Sequence, residues 1–164
     1  MRSILLTLLL LPCALFAETE LSQPSGEVIL KISGNLKVSN VDGEAHFDRQ
    51  MIEKLVTKTI VTANHVVSKS TRYEGPVLAD LLNQLGAEGD TVIVTALDDY
   101  SAEIKRSDIE KYGVLLATHE NGKMLTIDDR GPFFIVFPFD EYQKIRSDLY
   151  YSMSVWQIST LEIE

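Results

Sequence analysis

The chain has 164 residues, 45% hydrophobic and 24% charged, with a formal net charge of −9. That length and apolar content suffice for one domain with a core of its own. The negative balance excludes nucleic acid as an expected partner, because phosphate binding needs clustered Lys and Arg.

Residues 1–17 read as a secretory signal peptide. Arg2 supplies the positive start, Ile4 to Leu11 is apolar except for Thr7, and Ala14-Leu15-Phe16-Ala17 offers small residues for cleavage near Ala17. The run is short for a membrane span. A chain that is periplasmic or secreted, and not membrane-embedded, is therefore expected. The single cysteine, Cys13, would leave with this leader, so the remaining chain would hold no disulfide and no thiolate. No Arg-Arg pair marks the leader, which points to export of an unfolded chain by the general secretory route.

Residues 18–26 are polar and read as a flexible N-terminal arm, and residues 27–164 as one domain. Val28, Leu30 and Ile32 alternate with polar neighbours in a strand ended by Gly34-Asn35, which Leu36-Lys37-Val38 would extend as a hairpin. Asp48 is placed to cap a short helix running through Val56. Thr57 to Ala63 is β-branched and predicts a strand. Asn64 to Tyr73 is polar and predicts a surface loop. Pro76 suits the first position of a helix with Leu78, Leu81, Leu82 and Leu85 along one stripe and Gly86 past its end.

Thr91 to Leu97 predicts a strand, Asp98-Asp99 a turn, and Tyr100 to Lys105 the returning strand. Ser107 to Glu110 has capping-box spacing for a short helical turn. Val114 to Glu120 and Lys123 to Ile127 flank Asn121-Gly122, the strongest hairpin signal in the chain. Phe133 to Pro138 is apolar without interruption, bounded by Gly131-Pro132 and by Pro138, and predicts a strand buried on both faces. Asp140 to Tyr151 is amphipathic and partly helical, and Val155 to Ile163 alternates as a closing strand. Many strands, few helices and hairpin connections give an α+β fold with a mixed, mostly antiparallel sheet.

No catalytic or metal-binding motif is present, and the three histidines, His46, His65 and His119, lack ligand spacing. Asp129 and Arg130, at the entry to the apolar strand, are either an ion pair of the structure or the polar edge of a pocket. Asp98, Asp99 and Tyr100 are either a plain turn or acceptors aimed into a cleft. Trp156 belongs either to the core or to a pocket wall, since its N–H seeks a partner when buried.

Tyr73-Glu74-Gly75-Pro76-Val77-Leu78-Ala79-Asp80-Leu81-Leu82, Thr95-Ala96-Leu97-Asp98-Asp99-Tyr100, Leu115-Leu116-Ala117, Asn121-Gly122-Lys123, Asp129-Arg130-Gly131-Pro132 and Val155-Trp156-Gln157-Ile158 occur in this order. In order and spacing they resemble the oxidoreductase molybdopterin-binding domain family, whose best-known members are sulfite oxidase-like. The resemblance implies a partly barrel-like sheet with a few short helices and a pterin pocket, in which a protein cysteine holds molybdenum. With Cys13 removed that ligand is missing, so no cofactor is expected, molybdopterin being the alternative. The function expected is a small-ligand binding or sensory module without a redox metal. The alternatives are an oxidoreductase component of the sulfite oxidase type and an accessory factor that docks on a membrane sensor or redox partner. Asp98, Asp99, Tyr100, Arg130 and Trp156 are the candidate ligand-binding residues, for a small anionic or pterin-like ligand forked by Arg130.

Overall fold

The computed structural model describes residues 21–164. The signal-peptide reading and residues 18–20 of the arm lie outside this range. Residues 21–26 form no regular element but are tied down rather than loose. The backbone N–H groups of Ser25 and Gly26 donate to Asp48 Oδ2 at 2.7 and 2.8 Å, and Leu21 packs against the core.

Strands β1 (Val28–Gly34) and β2 (Ala45–Asp48) form an antiparallel pair. Leu36–Val38 is not a strand. The Lys37 and Val38 N–H groups both donate to Leu85 O, at 3.1 and 3.0 Å, which pulls this segment onto the end of a helix. Asp48 caps α1 (Arg49–Glu53) by accepting from Met51 N–H, and the helix stops before Val56, which is exposed.

Strand β3 (Thr57–Thr62) pairs antiparallel with β4 (Thr71–Pro76). Pro76 closes β4 rather than opening the helix, which a strand end tolerates because proline lacks only a donor. Helix α2 (Leu78–Gln84) buries Leu78, Ala79, Leu81 and Leu82, and Gly86 follows it at φ 57°. Strands β5 (Thr91–Ala96) and β6 (Ser101–Lys105) form the expected hairpin. Helix α3 (Arg106–Tyr112) starts before Ser107, so the capping box does not form. Instead the Arg106 guanidinium donates to Ala87 O (2.6 Å), Asn83 Oδ1 (2.6 Å) and Glu110 Oε1 (3.0 Å), and holds the helix start against the end of α2.

The short strands β7 (Leu115–Ala117), β8 (His119–Glu120) and β9 (Lys123–Met124) follow. Asn121 and Gly122 turn β8 into β9 at φ 50° and 75°, as their types require. Strand β10 (Phe134–Val136) is the apolar run, shortened to the part that pairs with β7. Phe133 to Phe137 are at most 1% exposed. A 3-10 turn at Gln143–Ile145 and helix α4 (Asp148–Ser152) occupy the amphipathic stretch. The last strand, β11 (Ile158–Ile163), begins later than the alternation predicts, because Gln157 turns through φ 55° with its N–H on Arg130 O at 3.0 Å.

The main sheet has the order β2-β1-β11-β5-β6, with β1 and β11 parallel and the other neighbours antiparallel. A second sheet, β3-β4-β8-β9, and the β10-β7 pair complete a mixed, mostly antiparallel α+β fold. The described residues form no closed barrel. Among them no helix is long and apolar enough to cross a membrane.

Candidate functional site

One cavity of about 290 Å³ opens between the β5–β6 turn, the loop after β3 and the segment joining α4 to β11. It is lined by His65, Ala96, Asp98, Tyr100, Tyr151, Ser152, Ser154, Val155 and Trp156. Three of the five residues singled out in the sequence, Asp98, Tyr100 and Trp156, therefore meet here.

The hairpin turn presents the first two. Asp99 takes φ 66° and donates its N–H to Ala96 O at 3.2 Å, which reverses the chain. Asp98 Oδ1 accepts from Tyr100 N–H at 3.1 Å. That bond uses one carboxylate oxygen, and among the described residues the other has no hydrogen-bond partner. The Tyr100 hydroxyl donates to Ser152 O at 2.9 Å and bridges the hairpin to α4. Asp99 makes the turn but does not line the cavity.

Trp156 is a wall residue, 38% exposed, not a core residue. One side of its ring packs edge-on against Phe134, with centroids 6.5 Å apart at 81°. His65 lies 6.0 Å from its centroid at 35°, and Tyr151 lies 5.4 Å from His65 at 36°. Tyr151 rests in turn on Phe139, at 5.0 Å. Burial lowers the His65 pKa, so the ring is neutral at pH 7.

His65 and Tyr151 were not among the residues singled out in the sequence. His65 sits in a stretch that looks like a plain polar loop, but this loop is latched. Ala63 N–H and Ser70 Oγ donate to Asp140 Oδ2 at 2.9 and 2.5 Å, and Asp140 N–H donates to Thr62 Oγ1 at 3.1 Å. Asn64 Oδ1 accepts from the Val66 and Val67 N–H groups at 2.9 and 2.7 Å, while Asn64 Nδ2 donates to the Tyr73 hydroxyl at 3.1 Å. A short side chain that folds the backbone onto itself is the one local signal that Asn64-His65 carries.

Arg130 does not join the aromatic cavity. It lines a separate surface depression with Glu120, Asn121, Lys123, Met124, Leu125 and Asp129. Its ion pair is with Glu120, not Asp129, through Nη2 and Oε2. Its Nε is buried and has no hydrogen-bond partner among the described residues. The backbone explains the choice of partner. Arg130 takes φ 72° after a 3-10 turn at Ile127–Asp129, which sends its side chain away from that of Asp129. Asp129 Oδ2 instead accepts from Thr126 Oγ1 at 3.2 Å. Among the described residues no group of three or more His, Cys, Asp or Glu is placed to hold a metal ion.

The model of a family described as "Oxidoreductase molybdopterin binding domain" matches residues 41–140. Among solved structures, the sulfane dehydrogenase SoxCD from Paracoccus pantotrophus superposes with a TM-score of 0.59 at 16% identity, over 82% of this chain and 37% of that chain. At that identity the likeness is one of fold, and this chain spans little more than a third of the other's length. No curated protein matches the chain.

Proposed function

Because the chain belongs to the oxidoreductase molybdopterin binding domain family, we propose that it uses this fold as an exported module that binds a small molecule, without a redox metal, in the cavity between His65 and Trp156. The family cofactor sets the first test of this reading, and the residues present do not fit it. Molybdenum in the resemblance that the sequence carries is held by a protein thiolate. The sole cysteine of the chain is Cys13, in the stretch that reads as a removable leader. Oxygen and nitrogen donors favour other metals and other geometries. The cavity adds a mismatch of charge. Molybdopterin carries a phosphate, whereas the lining includes Asp98 and no Lys or Arg.

The observation that carries the proposal is the lining itself: four aromatic side chains and one carboxylate around about 290 Å³. Concave sites with apolar walls and a few polar groups are where small molecules bind. The volume, near the lower end for such sites, suits a compact ligand. Export rests on the leader-like residues 1–17.

Native mass spectrometry and metal analysis of the protein isolated from its own compartment test the reading. The expected result is a co-purifying small molecule that is absent from Trp156→Ala, with molybdenum far below one per chain. Stoichiometric molybdenum would replace this reading with the oxidoreductase one.

A further inference from the structure

We propose that the cavity selects small organic cations of the alkylammonium class, held among the rings of Trp156, Tyr151 and Tyr100 with the Asp98 carboxylate as counter-charge. This rests on the reading of the cavity as a small-molecule site and names the class of ligand.

Aromatic faces are the negative ends of ring quadrupoles, and several of them around one point attract a cation that has little hydration to shed. His65, Tyr100, Tyr151 and Trp156 supply four rings. His65 lies tilted against two of them at 5.4 and 6.0 Å, so His65, Tyr151 and Trp156 form a connected wall that Tyr100 faces across the cavity rim. The lowered pKa of His65, caused by burial, keeps that ring uncharged at neutral pH, so it does not repel a bound cation. The carboxylate at the rim is anchored through Oδ1 by Tyr100 N–H, leaving Oδ2 for a ligand. The Tyr100 hydroxyl is occupied on Ser152 O, which fixes that ring.

The expectation of an anionic ligand depended on Arg130. That guanidinium is bound to Glu120 and faces a different depression. With Arg130 outside, the formal charge that the described residues bring to the cavity wall is the negative one of Asp98. The net charge of −9 over the chain favours approach of a cation as well.

Trp156 is the only tryptophan of the chain, so selectively excited tryptophan fluorescence reports this wall alone. The full chain is titrated with choline, with its neutral isostere 3,3-dimethylbutan-1-ol, and with benzoate. Choline is expected to give a saturable change. The isostere should bind about tenfold more weakly, the scale of one cation–π contact converted to affinity, and benzoate should have no effect. By calorimetry, Asp98→Asn should weaken choline by about threefold or more with an unchanged unfolding midpoint, since the amide oxygen still accepts from Tyr100 N–H. Tyr151→Leu should weaken it about tenfold. The cation inference is overturned if the isostere or benzoate binds as well as choline, or if choline does not bind. In the first case a small-molecule site remains. In the second, native mass spectrometry decides: a co-purifying molecule lost in Trp156→Ala preserves the binding module, and its absence removes both readings.

Discussion

The rings of His65 and Trp156 lie 6.0 Å apart at 35°, although their positions are separated by most of the domain sequence. Burial lowers the His65 pKa below its ordinary 6.5. Asp98, Tyr100 and Tyr151 are the other titratable groups lining the same cavity. As pH falls through the folded pKa, an imidazolium forms beside the indole and should quench its fluorescence, with a midpoint below 6.5. The unfolded chain takes up this proton first, so stability declines from about pH 6.5 down to the folded value. His65→Gln should remove the fluorescence step. A step that persists in that variant would place the quencher elsewhere.

Arg130→Ala should lower folding stability by about 1–3 kcal/mol and leave ligand binding in the aromatic cavity unchanged. The pair with Glu120 is half-buried, at 26% and 20% side-chain exposure, and truncation strands the carboxylate beside the hydroxyl of the buried Tyr73. Denaturant unfolding checks the first half and calorimetry the second. Weaker binding with unchanged stability would return Arg130 to the ligand site.

Gly131→Val should cost more than about 3 kcal/mol, and Lys123→Ala less than about 0.5 kcal/mol. A Cβ at Gly131 would overlap the carbonyl group of Leu125 and lie 2.8 Å from Thr126 O, and neither backbone atom can step aside. The reason is close approach, since the left-handed residue of this turn is Arg130 at φ 72°. Lys123 is exposed in β9. Equal unfolding midpoints for the two variants would contradict this packing.

Asp48 should govern acid unfolding. Its carboxyl falls from 3.8 to about 2, chiefly through Met51 N–H, then Gly26 N–H. The ionised form is the one that the fold stabilises. Its contribution is complete above about pH 4 and is lost as pH drops through about 2. Asp140, through Ser70, and Glu88, through Lys37, are lowered as well and act in the same sense. Asp48→Asn should reduce stability at pH 7 and flatten its decline between pH 4 and 2. An unaltered acid profile would assign the transition to other carboxyls.

What the sequence reveals of this molecule divides by the distance over which each feature is decided. The β5–β6 hairpin, the Asn121-Gly122 turn, the Asp48 cap and the buried run at Phe134 are fixed by neighbours within a few residues, and all are legible. So are Asp98 and Tyr100, because a tight turn holds both at one edge. His65 is not legible. Its loop is shaped by Asp140, 77 residues beyond Ala63, and no local pattern announces that bond. Arg130 misleads for a related reason. Adjacent charges suggest a pair, but a positive φ turns this one toward Glu120, ten residues back across the β8–β9 hairpin.

Strand β11 lies in the middle of the main sheet, between β1 and β5, and among the described residues the other neighbour of β1 is β2. A ribosome therefore delivers the centre of the sheet after both of its flanks. Until residues 158–163 have emerged, β1–β2 and β5–β6 are two hairpins with exposed inner edges and no shared partner, and isolated hairpins are at best marginal in water. The main sheet of the nascent chain thus stays protease-sensitive and acquires its protection in a single late step, whereas β3-β4-β8-β9 and β10-β7 do not wait for β11. Proteolysis of stalled chains ending before Ile158 and after Ile163 would reveal this delay.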